Sequence, residues 1–465
     1  MKKIFYFSLL VASALTFSSC THEEDDIFDK SAAEILNEVS ELYSERLISS
    51  EGGWAIEYYP RTIDGFDPNV DNQYQVQGYL LLADFDKDGS VNMGMKNIVS
   101  GNRFITDRST WDVITDLGPV LSFSSYNNCM HPFSEPEENP ALDTEKGKGL
   151  EGDYEFVMID VPENPEYIML KGKKRGTYIR MSRLEDGTDF ATYYNTLDAL
   201  NAKYFSPSAP NNLVMKLGEN VYNLKDANTP LITTWPVDGD EVADAVIRPF
   251  LTFVHNGEFR LRFRDAIELE DDVKAQEFAY DEEADILRGV DNPEFTIGGP
   301  DALTFFDNHL NNGKRWQMDL SNNMSDDIKT IVEGLKSDMI NTSSKYEFDI
   351  DLVGNKYGLS VYLTDQGLQI DMDIKYLSRN QKRQVTLSYL CTYGIDENGL
   401  TVSYVEPLGT GSTNMLRSFP KISDLLSILS DTYTVKGLDT NFNLLNVRLT
   451  STSDTNKWCT FNNIK

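Results

Sequence analysis

The chain has 465 residues, 40% of them hydrophobic, enough for a sizeable core that we expect to be divided between two domains. Its 42 Lys and Arg against 74 Asp and Glu give a net charge of −32. Such a charge repels phosphate backbones and anionic lipid headgroups, so the composition argues against nucleic acid as a partner.

The first twenty residues predict export and lipidation. Two lysines precede an apolar run at 4–17, and two serines then lead into Cys20. A charged start, a short apolar core and small residues before a cleavage point are typical of a secretory signal, and the run is shorter than the roughly 20 residues of a membrane-spanning helix. The approach to the cysteine resembles the bacterial lipobox, although Phe17 stands where that pattern usually has leucine. We therefore predict a signal peptide at 1–19 and a lipid anchor on Cys20. An ordinary signal peptide cut elsewhere and a membrane-anchoring helix are the alternatives.

An acidic leader at 20–29 follows the predicted cleavage point. It resembles the surface-export signal of Bacteroides-type lipoproteins, which would place the chain in the outer membrane, lipid-anchored and facing the cell exterior. A solvated leader that its own charges keep extended is the alternative. The residues that we expect to carry the signal are Glu23, Glu24, Asp25 and Asp26.

Four segments have the apolar spacing of helices. In the first, Ser31 and Glu34 form the capping-box pattern, and the apolar stripe that follows runs to Leu47. The same spacing predicts three further helices, at 188–204, 325–335 and 420–429.

Most other segments alternate between apolar and polar residues, as antiparallel strands with one buried and one solvated face do. The clearest strand patterns lie at 259–264, 346–352 and 368–376. Turn signals that end in glycine separate the strands at 88–89, 256–257, 366–367 and 398–399.

These elements predict a mainly β protein with a few α-helices, an α+β chain whose antiparallel sheets form open barrels or sandwiches in two domains. A stretch of Ser, Pro and Asn at 206–212 indicates a linker. We expect a β-rich N-terminal domain with flanking helices at 30–205, and an antiparallel β-rich C-terminal domain with short helices at 213–465. No internal repeat of fixed period is visible.

Two short motifs mimic functional ones. Asp84, Asp86 and Asp88 match the start of a calcium loop, but Met95 stands where the closing glutamate belongs, which favours a hairpin turn. Glycines at 147–152 spell G-x-G-x-x-G, yet the residues that follow have a strand pattern, whereas a phosphate-binding loop needs a helix there.

The sequence contains no catalytic signature. Zinc-protease, nucleophile-elbow and P-loop motifs are absent, and the four histidines are far apart along the chain. A glycosidase needs two carboxylates at a set separation, and among 74 acidic residues the sequence alone cannot identify such a pair. We therefore predict no catalytic, cofactor-binding or metal-binding residue. The cysteines that remain after lipidation allow one disulfide at most, and buried free thiols are the default interpretation of Cys129, Cys391 and Cys459.

Aromatic and arginine residues give two candidate ligand sites. Trp54 and Tyr58 could stack on a sugar, but they share one strand face, so core packing is favoured. Arg260, Arg262 and Arg264 share another strand face, either as an anion-binding patch or, as we prefer, in exposed ion pairs. The carboxylates expected to pair with them are those of Glu347, Asp349, Asp351, Asp371 and Asp373.

Five segments resemble a family of Bacteroidota lipoproteins described as a domain of unknown function. They are EDDIFDKSAAEILNE (24–38), GGWAIEYYP (52–60), LGPVLSFSSYN (117–127), EGDYEFVM (151–158) and YIMLKGKKRG (167–176). Members are encoded beside SusC/SusD-like outer-membrane uptake systems and lipoprotein metallopeptidases. The resemblance therefore implies surface location and nutrient uptake, with no catalytic residues. We expect a non-catalytic module that captures a glycan or peptide, possible partners being SusC/SusD-like proteins; a secreted hydrolase acting on glycan or protein is the alternative.

Overall fold

A computed structural model describes residues 30–116, 118–205, 213–225, 230–269, 272–321, 323–348, 358–440, 442 and 444–464. The predicted signal peptide, Cys20, the acidic leader and the linker lie outside these residues, as do Asp349 and Asp351. Contacts along the chain divide it into two compact units between Phe190 and Ala191. The boundary proposed from the sequence, with domains at 30–205 and 213–465, stays a prediction.

The first unit contains a closed barrel of eight antiparallel strands in which each strand pairs with its neighbours along the chain. The last strand pairs with the first, so that Trp54 lies opposite Arg183. The strands are β1 (Trp54–Tyr59), β2 (Tyr79–Phe85), β3 (Ser90–Met95), β4 (Ile105–Thr115), β5 (Pro119–Phe123), β6 (Glu155–Asp160), β7 (Tyr167–Gly172) and β8 (Tyr178–Arg183).

The second unit contains two more closed barrels with the same sequential order. The first of them consists of β9 (Leu213–Leu217), β10 (Asn220–Lys225), β11 (Leu231–Pro236), β12 (Val246–His255), β13 (Glu258–Glu268), β14 (Lys274–Asp281), β15 (Ile286–Gly289) and β16 (Thr296–Gly298). The other consists of β17 (Arg315–Met318), β18 (Leu359–Thr364), β19 (Gly367–Ser378), β20 (Gln381–Asp396), β21 (Gly399–Leu408), β22 (Thr432–Gly437), β23 (Asn446–Ser451) and β24 (Trp458–Ile464). The mainly β, antiparallel fold class is confirmed, and the barrels are closed.

Helices are the minority in the described ranges. They are α1 (Ala32–Leu47), α2 (Phe190–Tyr204), α3 (Ala302–Asn311), α4 (Asp326–Ile340), α5 (Gly409–Ser418) and α6 (Pro420–Ile428). The predicted capping box at the start of α1 is confirmed, since Ser31 and Glu34 each accept a backbone N–H of the other. No helix in the described part of the chain is both long and apolar enough to cross a membrane.

The hairpin and strand patterns also hold. All four glycine turn signals connect consecutive paired strands, at β2–β3, β12–β13, β18–β19 and β20–β21. In β19 the apolar residues Leu368, Ile370 and Met372 lie in the barrel core, as the alternation predicts. The expectation of a solvated opposite face is wrong here. Asp371 and Asp373 are buried, and Arg315, Gln369 and Ser388 donate hydrogen bonds to Asp371.

One predicted strand needs correction, and two helices, α3 and α5, were not predicted. Residues 346–348, the described part of the predicted strand at 346–352, contain a single isolated bridge between Glu347 and Lys375. Helix α5 was missed because its Gly409, Gly411 and Thr413 are poor helix formers, so tertiary contacts with β20 and β21 must stabilise it.

Candidate ligand-binding groove

An open groove of about 510 Å³ lies in the second unit, a volume within the range of small-molecule sites. Its walls come from the end of α2, from the hairpin between β14 and β15, and from the connection after β22. We call it the α2–β14 groove. The residues that line it are Lys203, Tyr280, Glu282, Asp285, Leu438, Asp439, Thr440 and Leu445.

A lysine and two tyrosines interact at one wall of this groove. The Lys203 ammonium donates to the hydroxyl of Tyr204 at 2.9 Å and lies over the rings of Tyr204 and Tyr280, 4.8 and 5.6 Å from their centroids. The hydrogen bond to Tyr204 raises the pKa of Lys203. Burial, together with hydrogen bonds to Tyr204 and Asp285, raises the pKa of Tyr280. At neutral pH the groove therefore holds an ammonium and an intact phenol.

The part of the lining that follows β22 carries a constrained carboxylate and a buried hydroxyl. One oxygen of Asp439 accepts the backbone N–H groups of Leu445 and Asn446 at 3.2 and 2.8 Å, which holds this carboxylate against the start of β23. The hydroxyl oxygen of Thr440 is buried and has no hydrogen-bond partner among the described residues.

The groove thus offers a cationic donor, a phenol, three carboxylates and two leucines. Such a mixture suits a small ligand with several hydroxyl or amide groups. No sequence pattern indicates this groove, because Lys203, Tyr280 and Asp439 are far apart along the chain and come together only in the folded unit.

Trp54 and Tyr58, the aromatic pair nominated from the sequence, lie inside the first barrel. Both side chains are fully buried. The indole N–H of Trp54 donates to the Leu47 carbonyl at 2.7 Å, and the Tyr58 hydroxyl donates to the Asp153 carbonyl at 2.9 Å. The core-packing interpretation of these residues is confirmed.

The three arginines of β13 lie in ion pairs, as predicted. Glu277, on the neighbouring strand, lies 2.7 Å from Arg260 and 3.4 Å from Arg262. Glu258 lies 2.9 Å from Arg260, and Asp265 lies 2.9 Å from Arg264. These carboxylates belong to the same barrel as the arginines and are not among the carboxylates nominated from the sequence. The expectation of exposed pairs is wrong for Arg262 and Glu277, whose side chains are only 9% and 10% exposed.

A protein-family model matches this chain. The model described as "Domain of unknown function (DUF4302)" matches residues 24–282, more than half of the chain. The chain belongs to this family. The match covers the first barrel, α2 and most of the second barrel, and so extends beyond the segments that carried the resemblance.

Other comparisons add no functional information about this DUF4302 chain. No curated protein matches it. A DNA polymerase III subunit beta sliding clamp from Bartonella birtlesii is 7% identical, with 92% of this chain and 97% of that chain covered, at a TM-score of 0.12. The isotype 1 transferrin-binding protein B from serogroup B Neisseria meningitidis is 9% identical, with 89% and 76% covered, also at 0.12. Scores this low support no argument about fold or function.

The remaining sequence motifs have structural explanations. The aspartates at 84–88 flank the β2–β3 hairpin turn, where Arg108 lies 3.1 Å from Asp86 and 3.4 Å from Asp88. The glycines at 147–152 precede strand β6 and not a helix. The predicted free thiols are confirmed, and burial raises the pKa of Cys129, Cys391 and Cys459 to about 12, so all three stay protonated at neutral pH.

Proposed function

We propose that this DUF4302 chain is a lipoprotein, anchored by Cys20 on the outer face of the outer membrane, that captures a nutrient without converting it. The signal peptide, the cysteine and the acidic residues at 23–26 support the location. The resemblance to lipoproteins encoded beside SusC/SusD-like systems supports a role in uptake, with those proteins as partners.

The hydrogen bonds of Lys203 to Tyr204 and of Tyr280 to Asp285 in the α2–β14 groove are the observation that supports capture over catalysis. A lysine acts as a base or nucleophile when its pKa is lowered, and a tyrosine acts as a base once it is ionised. The surroundings of Lys203 and Tyr280 shift both pKa values the other way. Lys203 therefore stays an ammonium that can donate to a ligand, while the Tyr280 hydroxyl, which already donates to Asp285, can accept from one. We expect the ligand to be a glycan or a peptide.

The groove can be tested with a pair of adjacent glutamates. Glu282 lines the groove, whereas its exposed neighbour Glu283 does not. The full chain in detergent is titrated calorimetrically with oligosaccharides and short peptides. Glu282→Gln should weaken binding about tenfold, the effect of losing about 1.4 kcal/mol from a charged hydrogen bond. Glu283→Gln should bind as the wild type does.

Chromatography of the same mixtures tests the hydrolase alternative. A captured ligand should be recovered intact after prolonged incubation. Product formation that Glu282→Gln abolishes would show that the groove is an active site and that the capture proposal is wrong.

A further inference from the structure

A row of three aromatic rings lies on the surface of the first unit, between β5 and β6. The ring of His131 lies between those of Tyr126 and Tyr154, with centroid distances of 5.1 and 4.8 Å and interplanar angles of 30° and 24°. Tyr126 is 54% exposed and Tyr154 is 42% exposed. We call these three residues the aromatic stack. Exposed aromatic rings that lie together are a common feature of binding surfaces.

The loop that carries the stack is firmly attached to the barrel. Cys129, Met130 and Phe133 are fully buried in the barrel core. Asn127, the buried residue that follows Tyr126 in the chain, donates to the Ser109 hydroxyl at 2.9 Å and accepts the Cys129 N–H at 2.8 Å. A ligand would therefore meet rings that are already ordered, which reduces the entropic cost of binding.

Hydrogen-bond acceptors lie at the edge of the stack. The Tyr126 hydroxyl donates to one Glu135 oxygen at 2.5 Å, and the other Glu135 oxygen accepts no hydrogen bond from the described residues. Asp107 accepts the backbone and side-chain N–H groups of Asn128 on one oxygen, both at 2.7 Å. A carboxylate oxygen has two acceptor positions, so both groups can accept further bonds.

The middle ring of the stack is uncharged at neutral pH. Burial lowers the pKa of His131, and its Nδ1 accepts the Asn127 N–H at 3.0 Å, as only a neutral imidazole can. The surface thus combines neutral rings with carboxylates, in a chain of net charge −32 that disfavours anions.

We infer that the aromatic stack is a carbohydrate-binding surface. The apolar face of one pyranose ring packs on the outer face of Tyr126 while its hydroxyls donate to Glu135 and Asp107, and a further sugar of the same chain packs on the outer face of Tyr154. A pyranose has both features that this surface requires, a face of C–H groups and a rim of O–H donors. A proline-rich peptide also packs on aromatic rings, but its prolines have no N–H to offer the carboxylates. This site is in the first unit and does not depend on the α2–β14 groove.

The test uses the full chain in detergent and calorimetric titration with maltohexaose, cellohexaose, xylohexaose and mannohexaose, with decaproline as the competing peptide probe. We expect at least one hexasaccharide to bind. Tyr126→Ala or Tyr154→Ala should each weaken binding about fivefold to tenfold, since an aromatic contact contributes about that much, and the double variant should lose measurable binding. Tyr126→Phe should retain most of the affinity. Tyr167→Ala, which removes an exposed tyrosine outside the stack, is the matched control and should bind normally.

Three results would overturn the inference. The first is that no hexasaccharide binds, and the second is that the double variant binds sugar as the wild type does. The third is that decaproline binds more tightly than every sugar and that Tyr126→Ala weakens its binding. Sugar binding that Glu282→Gln weakens and the double alanine variant does not would assign the sugar to the α2–β14 groove. The two proposals can therefore fail separately.

Discussion

The carboxylate of Glu277, which two arginines share, allows a test of how burial changes the contribution of an ion pair to the free energy of unfolding. Glu277 contacts both Arg260 and Arg262, and its side chain is 10% exposed. Glu258 contacts Arg260 at a similar distance, 2.9 Å, but is 53% exposed. Removing one partner of a buried pair costs about 3–5 kcal/mol, because the remaining charge stays desolvated, whereas an exposed pair contributes about 0–1 kcal/mol. We therefore expect Glu277→Gln to destabilise the second unit by about 3 kcal/mol and Glu258→Gln by less than about 1 kcal/mol.

Hydrogen exchange of peptides from β13 and β14 measures this difference locally. A loss of about 3 kcal/mol in opening free energy speeds exchange roughly 100-fold, and a loss below 1 kcal/mol speeds it less than about fivefold. The measurement is made under conditions in which the amide exchange rate is proportional to the opening equilibrium constant. Equal acceleration in both variants, or none in Glu277→Gln, would refute the argument that burial decides the cost.

Four further outcomes are expected. Cys20→Ala should leave protein that is neither lipidated nor membrane-attached, and full partition of this variant into detergent would contradict the anchor. Replacing the four acidic residues at 23–26 by alanine should keep the lipid but protect the protein from protease added to intact cells, which should cleave the wild type. Calorimetry should detect no calcium binding tighter than about 10⁻⁵ M at the β2–β3 turn, where Arg108 already contacts Asp86; binding that Asp86→Ala abolishes would disprove this. Because burial lowers the pKa of His131, the unfolded chain binds a proton that the folded loop does not. The contribution of His131 to the free energy of unfolding is therefore fully present above roughly pH 6.5 and is lost as the pH falls below that value. Melting temperatures measured at about pH 7.5 and 5.5 should thus differ more in the wild type than in His131→Gln.

Local patterns predicted local structure well in this chain. The capping box of Ser31 and Glu34 depends on residues three apart, and the glycine turns depend on adjacent residues, so the sequence contains all the information that they need. Alternation in β13 and β19 likewise showed which side chains enter a core. Helix α3 was not predicted, although it has a similar local signal: Asp301 caps it, and apolar residues at helical spacing follow.

Long-range structure was harder to predict, for a physical reason. Alternation shows that Asp371 faces away from the barrel interior, but it cannot show whether other residues cover that outer face. The closure of each barrel depends on pairing between strands such as β1 and β8, which are far apart in sequence. The α2–β14 groove combines three distant segments, and the aromatic stack combines two. Trp54 and Tyr58 were nominated because they are aromatic, yet exposure distinguishes them from Tyr126 and Tyr154, and exposure is a property of the folded chain.

The closing pairs β1–β8, β9–β16 and β17–β24 also affect how the protein forms. Every other pairing within a barrel joins consecutive strands, so each sheet can extend one hairpin at a time as the chain is synthesised. Until its eighth strand arrives, such a sheet has two open edges, which are templates for pairing with another molecule. Closure satisfies both edges at once. The period of greatest risk of aggregation is therefore the interval before each final strand is made, and a slow step there would expose an incomplete barrel for longest.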